Sequence, residues 1–555
     1  MSSSLLQHFK STVIVKIRGV TMQNDARNQY PQIARQHQSQ DGPELETHFP
    51  LNINRIDDDV LISIFLTALE AADSANPPMS PAHPAVVFTH VCRRWREAAL
   101  SARVLWQKIH LVIPEYPRGW LDPNHHELCA WKLRLLKQQQ MTETWISRTG
   151  ESQLHIMVSE AWTFPPTHRS CYGEQDYSNL TDLINVLCET SSRWKELELD
   201  LTFVSSQRSS FPTTRFLSLP PQDDPLLTKV RLDINWNQPD ESLSHLLVSK
   251  PSILEAVSLR SLTVSNETMV HHDLMALSIT WSALTHLDFR GYPSTSNRVF
   301  NQSQALEILR LCPNLVSCYL ALASDSKLPP SPGNPITLRF LEEITLRPCK
   351  WHIARGFAPS LTLPSLRKFS VQSVTGSLCS PLPYAHSGLC EFIERFGHSL
   401  RDVTFQYITL TRDALRQCLA NLPNVLSLTL TDAPWAVTSG DCARIDAKLL
   451  QSLSPQFDPV GFHRPGCPQL REHPLCPMME ELTLTINVSV ELEEMALVDF
   501  IESRRKMRLM GIDEGRTVTC LKAVTCNGHW ARSLNVIEEL RRRGVDIDGF
   551  SLESW

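Results

Sequence analysis

The sequence predicts an α/β protein in which a small all-α N-terminal domain precedes a solenoid of repeats, each built from one strand and one helix. Three observations lead to this fold class. Two amphipathic helical segments lie between residues 50 and 112, a short apolar motif recurs from residue 194 onward, and helical segments separate many of its copies. A chain of 555 residues also exceeds what one compact core accommodates, so more than one folding unit is expected.

The first amphipathic helix is predicted within INRIDDDVLISIFLTALEAA. Ile56, Val60 and Ile64 recur every four residues, with Leu61 and Phe65 beside them, which is the spacing of one wide helical face. Four prolines between residues 77 and 84 interrupt this pattern. A second helix is predicted in AVVFTHVCRRWREAAL, and the following SARVLWQKIHL is expected to turn into a strand.

A motif of the form apolar-x-x-apolar-x-apolar recurs through the rest of the chain. The ten copies from Trp194 to Met479 start between 25 and 34 residues apart, except for one interval of 54. This spacing is typical of leucine-rich repeats. The predicted starts are Trp194, Leu227, Leu254, Leu284, Leu315, Leu341, Leu366, Leu400, Val425 and Met479, with a final copy expected at Val518.

The motif has a simple physical interpretation as a strand. Because side chains alternate along a strand, its last two apolar residues point to one face and the residue between them points to the other. One strand and one helix cannot bury their apolar faces alone, so copies have to stack. The long interval contains a proline-rich segment near 453–477, which is expected to be an exposed loop insertion.

Residues 50–112 resemble the F-box of many fungal proteins. The resemblance rests on three pieces that occur in order, and two acidic residues depart from the pattern: Asp57 takes the place of the usual proline and Asp59 that of the usual glutamate. The matching residues are Ile56, Leu61, Ile64 and Phe65 in the first piece, Val91, Cys92, Arg93, Trp95 and Arg96 in the second, and Leu105 and Trp106 in the third.

The resemblance implies that this domain docks on a Skp-type adaptor, which links it to a cullin-RING ubiquitin ligase, while the repeats bind a protein substrate. The expected function is thus a substrate-recognition adaptor; the alternative is a stand-alone leucine-rich-repeat scaffold, and an enzyme with its site in the loops is a third possibility. The residues expected to contact the adaptor, unless they form internal core instead, are Ile56, Asp57, Leu61, Ile64, Phe65, Val91, Cys92, Trp95, Leu105 and Trp106.

The outward strand positions of the solenoid are the candidate substrate surface. Acidic residues come first along the chain, and three arginines come after them at Arg260, Arg290 and Arg347, with Tyr319 among them. One hypothesis is a patch that binds an acidic or phosphorylated segment. The alternative is a neutral polar surface on which the arginines pair with nearby acids such as Asp288.

Composition and motifs argue against several other functions. The formal net charge of −6 and pI near 6.4 disfavour nucleic-acid binding, so the basic cluster at Arg93, Arg94 and Arg96 is more simply a solvated helix face. Phosphate-binding loops and catalytic or metal motifs are missing, which predicts a non-enzymatic protein without cofactor or metal. The 15 cysteines form no Cys-x-x-Cys pair, which favours a cytoplasmic or nuclear protein, and no apolar run is long enough to span a membrane.

The sequence is accordingly divided into four parts. These are a disordered N-terminal tail at 1–49, the F-box-like helical domain at 50–112, connecting helices and a first strand at 113–180, and the solenoid at 181–555. The tail assignment rests on its glutamine-rich, apolar-poor composition.

Overall fold

The structure is a computed structural model, and two compact units make up the chain. The first holds the described residues up to Leu111 together with Gln140–Ser152, and the second holds Val112–Gln139 and Gln153–Trp555. The predicted tail at 1–49 lies outside the described residues. The structure describes residues 56–71, 77–115, 126–160, 177–203, 212–216, 219, 226–236, 252–266, 275, 277–291, 301–322, 334–348, 353, 355–372, 388–407, 410–431, 443–457, 470–472, 474–485, 493–506, 518–527 and 534–554.

The described part of the first unit contains several helices, and an aromatic cluster forms its core. Phe65 stacks on Phe88 with ring centroids 4.2 Å apart, and the Trp95 ring meets Phe65 edge-on at 5.0 Å. Such edge and stacked pairs add to the burial of apolar area. The elements are α1 (Asp58–Glu70), α2 (Pro84–Phe88), α3 (Arg93–Ser101), a 3₁₀ turn (Arg103–Trp106) and the second half of α4 (His126–Thr149), with β1 (Lys108–Ile113) at its boundary.

Helices α2 and α3 begin at side chains that accept backbone hydrogen bonds. The His83 Nδ1 atom accepts from the Ala85 N–H, and the Cys92 Sγ atom accepts from the Trp95 N–H. Burial lowers the pKa of His83 to about 4, so its imidazole is neutral near pH 7 and keeps that acceptor. Pro84, at the first position of α2, removes an amide that would otherwise lack a partner.

All three clustered arginines have partners within the first unit, and Arg93 pairs with Glu97 on its own helix at 2.8 Å. Arg94 donates to the Ile56 carbonyl and to the Asp58 carboxylate at 2.9 Å, and Arg96 donates to the Thr89 carbonyl at 2.7 Å. Arg94 therefore connects α3 to the start of α1.

Trp106 is buried among α3 and the second half of α4. Its indole donates to the Ala99 carbonyl at 2.8 Å, its ring meets Trp145 edge-on at 4.7 Å, and the Arg148 guanidinium lies 4.3 Å from its centroid. These contacts explain why Gln140–Ser152, predicted as a connection, clusters with the helical unit.

The second unit is built on a long parallel sheet. Its strands after β1 are β2 (Leu154–Glu160), β3 (Trp194–Phe203), β4 (Lys229–Trp236), β5 (Ser261–Asn266), β6 (His286–Gly291), β7 (Ser317–Leu322), β9 (Glu343–Pro348), β11 (Lys368–Val371), β12 (Asp402–Gln406), β13 (Ser427–Thr431), β16 (Glu481–Thr485), β17 (Ala523–Asn527) and β18 (Ser551–Ser554). From β2 onward the described strands of this sheet lie side by side in chain order, and each pairs in parallel with the next one.

Two short pairs stand apart from this sheet. Strands β8 (Ile336–Thr337) and β10 (Leu361–Thr362) pair in parallel, and β14 (Gln456–Phe457) pairs antiparallel with β15 (Leu470–Glu472). The second pair lies within the predicted insertion near 453–477. The C-terminal end of that insertion is not an exposed loop, because Pro474 and Cys476 are buried.

The described connections between strands contain both α-helices and 3₁₀ turns. Short 3₁₀ turns at Ser252–Glu255 and Trp281–Ala283 lie before β5 and β6. The described helices of the second unit after α4 are α5 (Ser178–Cys188), α6 (Gln302–Leu311), α7 (Gly388–Phe396), α8 (Arg412–Ala420), α9 (Ala447–Leu453), α10 (Glu494–Lys506) and α11 (Val536–Arg542). The prediction of one strand and one helix per repeat holds for the repeats that contain these helices.

Burial alternates along most strands of the sheet. In β12, β13, β16 and β17, buried residues alternate with partly or fully exposed ones. A parallel sheet covered on both faces would instead read as a continuous apolar run. The sheet therefore packs its apolar side chains on one face and leaves the other face polar, which is the arrangement that the strand motif predicts.

Hydrogen bonds between consecutive repeats show where each repeat begins. In each repeat, the carbonyl of the residue after the leading apolar residue accepts a hydrogen bond from an amide N–H of the next repeat. Examples are the Thr285 N–H, which donates to the Arg260 carbonyl at 2.8 Å, and the Val316 N–H, which donates to the Thr285 carbonyl at 2.7 Å. Side chains before this point add further bonds: Asn314 donates to Ser282 O, and Asn424 donates to His398 O.

This ladder corrects two predicted repeat starts. The copy predicted at Leu254 begins at Leu259, so Arg260 lies ahead of β5 rather than on its outward face. The copy predicted at Val518 begins at Leu521, and Leu521, Val524 and Cys526 are its buried residues. Both errors arose because the loose motif matches more than one register when leucine and valine are abundant.

A buried arginine stabilises the place where the repeat interval is longest. Arg504, fully buried on α10, donates to the carbonyls of Leu453, Leu475, Cys476 and Pro477 over 2.8 to 3.1 Å. Burial lowers its pKa to about 10, which still leaves it charged near pH 7. One side chain thus satisfies four backbone acceptors, a role that its five N–H donors allow.

We expect Arg504→Ala to lower the free energy of unfolding by about 3 kcal/mol, because it leaves buried carbonyls without donors. Urea denaturation followed by circular dichroism measures the change. Arg542→Ala is the matched control: Arg542 is exposed on α11 and pairs with Glu539 at 2.6 Å, and exposed pairs contribute little. Equal stability of the two variants would contradict the structural role of Arg504.

Candidate functional site

The polar face of the sheet is the candidate functional site. Its middle positions align across the strands and form a single row, which we call the central row. The central row consists of Met157, Glu198, Arg231, Thr263, Asp288, Tyr319, Thr345, Ser370, Thr404, Thr429, Thr483, Thr525 and Glu553.

The first strands of this face carry a network of opposite charges. Lys229 on β4 lies 3.2 Å from the Glu196 carboxylate and 3.0 Å from that of Glu198, both on β3. The His155 Nδ1 atom on β2 lies 3.3 Å from the Glu196 carboxylate. Burial opposes ionisation of Glu196, but His155 and Lys229 outweigh it and lower its pKa. Burial likewise disfavours the charge of Lys229, yet the two glutamates raise its pKa overall.

Two of the three predicted arginines reach the polar face, and each meets a neighbouring side chain there. Arg290 on β6 forms an ion pair with Asp288 at 2.8 Å, and its guanidinium lies 5.5 Å from the Tyr319 ring. Arg347 on β9 hydrogen-bonds to Tyr319 on β7, while burial raises the pKa of that hydroxyl overall. The structure therefore joins Arg290, Tyr319 and Arg347 in one cluster that also contains an acid.

Arg260 does not belong to this cluster, because it lies just before β5 and not at an outward strand position. Its guanidinium donates to the Val257 carbonyl at 2.9 Å and to the Leu259 carbonyl at 3.1 Å. It therefore supports the turn before β5.

From β11 to β17 the central row is a run of hydroxyls, and Glu553 on β18 follows it. Ser370, Thr404, Thr429, Thr483 and Thr525 occupy five neighbouring strands, and all are partly exposed. Threonine suits such positions because its branched side chain packs well on a half-exposed strand. Hydroxyls both donate and accept hydrogen bonds without charge. The sequence motif already predicts four of these five hydroxyls as outward residues, and strand register joins them with Thr525 into one continuous surface.

The residues predicted to dock on an adaptor fall into three groups in the first unit. Leu61, Phe65, Trp95, Leu105 and Trp106 are buried, Ile56, Ile64, Val91 and Cys92 are half-buried, and Asp57 is exposed. Val60, which the prediction omitted, is 51% exposed on α1. The predicted alternative of internal core therefore describes the five buried residues within this unit.

The described residues offer no site for a metal ion: they contain no group of three or more His, Cys, Asp or Glu side chains arranged to hold one. Within the same part of the chain, every helix is too short or too polar to cross a membrane.

Comparison with known proteins places few limits on function. The sequence matches no known protein family and no curated protein. One solved structure that aligns with this chain is the crystal structure of the mouse RP105/MD-1 complex, with 12% sequence identity and a TM-score of 0.34. The alignment covers 74% of this chain and 61% of that chain. Function has to be inferred from the residues and their geometry.

The ion pairs of Glu196 make the free energy of unfolding depend on pH in the acidic range. Because the folded-state pKa of Glu196 lies below its ordinary value of 4.5, its ion pairs contribute fully above pH 4.5, and this contribution is lost as pH falls through the lower folded-state value. We expect Glu196→Gln to reduce the loss of stability between pH 5 and pH 3, measured by urea denaturation across that range. Glu342→Gln, at an exposed carboxyl before β9, serves as control; identical pH profiles for wild type and Glu196→Gln would contradict the assignment.

Proposed function

We propose that this protein is a non-enzymatic protein-binding subunit that captures a partner on the polar face of its parallel sheet. One observation carries the proposal: the alternating burial that leaves a face of aligned polar side chains exposed across many strands. Extended surfaces of stacked repeats serve as binding faces because neighbouring strands present side chains at fixed spacing.

The chemistry of the face favours a polypeptide partner with both charged and neutral polar groups. Its first strands present acids and bases that already pair, as in Glu196 with Lys229 and Asp288 with Arg290. Its later strands present hydroxyls. Because the charges of both signs are paired and the hydroxyls are neutral, the face has no electrostatic potential of a single sign. This argues against a polyanion as the main partner.

The arginine hypothesis fits one small part of this surface. Arg290 and Arg347 flank Tyr319 and could receive a carboxylate or phosphate, while Asp288 offsets part of their charge. A neutral polar surface with locally paired arginines agrees better with these contacts.

We further propose that the first unit docks on a Skp-type adaptor, so that the protein serves as a substrate-recognition subunit of a cullin-based ubiquitin ligase. The support is the order of the F-box-like pieces and the position of Val60 and Ile64 one turn apart on α1, beside the buried Leu61 and Phe65. An exposed apolar stripe next to a helix's own core face is what a helix-in-groove partner contacts. The alternative is a stand-alone scaffold that uses the sheet face alone.

Binding to the sheet face is tested by replacing threonines of the hydroxyl run with larger, charged side chains. We expect the triple variant Thr404→Arg, Thr429→Arg, Thr483→Arg to keep its fold, since these side chains point outward, and to lose roughly tenfold or more of partner recovery, equivalent to about 1.4 kcal/mol. Proximity labelling in cells measures recovery, and circular dichroism checks the fold. The control carries Glu394→Arg, Arg416→Glu and Lys448→Glu on exposed helix positions. Equal recovery for both triple variants and wild type would refute the sheet face as the binding surface.

Adaptor docking is tested with purified Skp-type adaptor and titration calorimetry. We expect binding by the wild type and at least tenfold weaker binding by Val60→Asp, because the substitution places a charge in an apolar contact. Leu133→Asp, at a site 52% exposed on α4, is the matched control and should bind normally. Folded wild-type protein that does not bind the adaptor would exclude the ligase role and leave the scaffold.

A further inference from the structure

Two cysteines from consecutive helices meet in the second unit. The Cys418 thiol on α8 donates to the Cys390 sulfur on α7, with the two Sγ atoms 3.4 Å apart. Cys418 is buried and Cys390 is half-buried. Solvent therefore reaches this pair on the Cys390 side.

The two helices are held close together where they end. Gly397, just after α7, lies so near the Asn421 carbonyl after α8 that an added Cβ atom would be 2.1 Å from that oxygen. The apolar faces of both helices are buried, with Leu389, Phe392 and Ile393 on α7 and Leu415 and Leu419 on α8. The approach of the two sulfurs is thus built into the packing of adjacent repeats.

A disulfide would require a small movement. The S–S bond length is about 2.05 Å, so the sulfurs must come roughly 1.4 Å closer than their present separation. Rotation about the cysteine side chains supplies movements of this size, because each cysteine has staggered alternatives at χ1.

We propose that Cys390 and Cys418 form a reversible disulfide that cross-links two consecutive repeats under oxidising conditions. Cys390 is the residue that reacts first, because it is the more accessible of the two thiols. The hydrogen bond between the two sulfurs and burial both raise the pKa of the Cys418 thiol, so Cys418 acts second, as the resolving residue.

With hydrogen peroxide as oxidant the steps balance. The Cys390 thiolate attacks one peroxide oxygen, an S–O bond forms, the O–O bond breaks, and the released hydroxide takes a proton to become water. The Cys418 sulfur then attacks the Cys390 sulfur, an S–S bond forms and the S–O bond breaks. The departing hydroxide takes the Cys418 proton, so two thiols and one peroxide yield one disulfide and two waters.

The other described cysteines lack this combination of access and a facing sulfur in contact. Burial raises the pKa of Cys476 and Cys526 to about 12, so these thiols are inert near neutral pH. Cys129 is exposed on α4 and provides a comparison for simple surface oxidation.

The test treats the full-length protein with increasing hydrogen peroxide and maps its peptides by mass spectrometry without reduction. We expect a linked pair of peptides containing Cys390 and Cys418, lighter by two hydrogen atoms than the two separate peptides, that disappears after dithiothreitol. The linkage should form at lower peroxide in folded protein than in urea-unfolded protein, and it should raise the midpoint of thermal unfolding.

Variants separate this site from general oxidation. Cys390→Ser should abolish the linkage and the thermal shift, whereas Cys129→Ser should retain both. Because linkage is measured directly in the wild type, the outcome does not depend on how well Cys390→Ser folds. Accumulation of sulfinic or sulfonic acid at Cys390 while Cys418 keeps its thiol would overturn the proposal, as would linkage that is no more frequent in folded than in unfolded protein.

Discussion

The structure of the second unit depends on one constraint: each strand satisfies its backbone hydrogen bonds through both neighbouring strands while burying only one of its faces. Parallel pairing in chain order meets the first requirement, since the residue after each leading apolar side chain accepts an amide from the next repeat. Alternating side chains meet the second. Because no single strand and connection can do either alone, stability arises only when many copies stack.

The same constraint explains how irregular repeats are tolerated. The strand ladder continues although the intervals between strands differ in length, because it uses backbone groups that every residue supplies. Within the longest interval between strands, Arg504 supplies side-chain donors to four backbone carbonyls. Arg505 reaches the carbonyls of Leu521, Asp546 and Asp548 over 2.7 to 3.1 Å. Neighbouring arginines on α10 thus stabilise the segments before and after that helix.

In the first unit, helix α1 contributes side chains both to the core and to the exposed surface. Phe65 and Trp95 are needed inside, where they pack with Phe88, and their side chains are not available to a partner within this arrangement. Val60 and Ile64 lie on the adjoining part of the same helix with more exposure. A docking surface and a core can thus share α1 because a helix presents different faces at successive residues.

Sequence alone determined the fold class, the motif, most strand positions and the polar character of residues between the buried ones. These properties depend on periodicity, which is local: Leu428, Thr429 and Leu430 alternate whatever lies next to them. Tertiary structure decided what depends on partners distant in the chain. It selected Leu259 over Leu254 through hydrogen bonds between repeats, joined Arg290 and Arg347 to Tyr319, and aligned the hydroxyls of five neighbouring strands. It also brought Cys390 to Cys418, because helix packing, unlike periodicity, depends on how residues far apart in sequence fill a shared space.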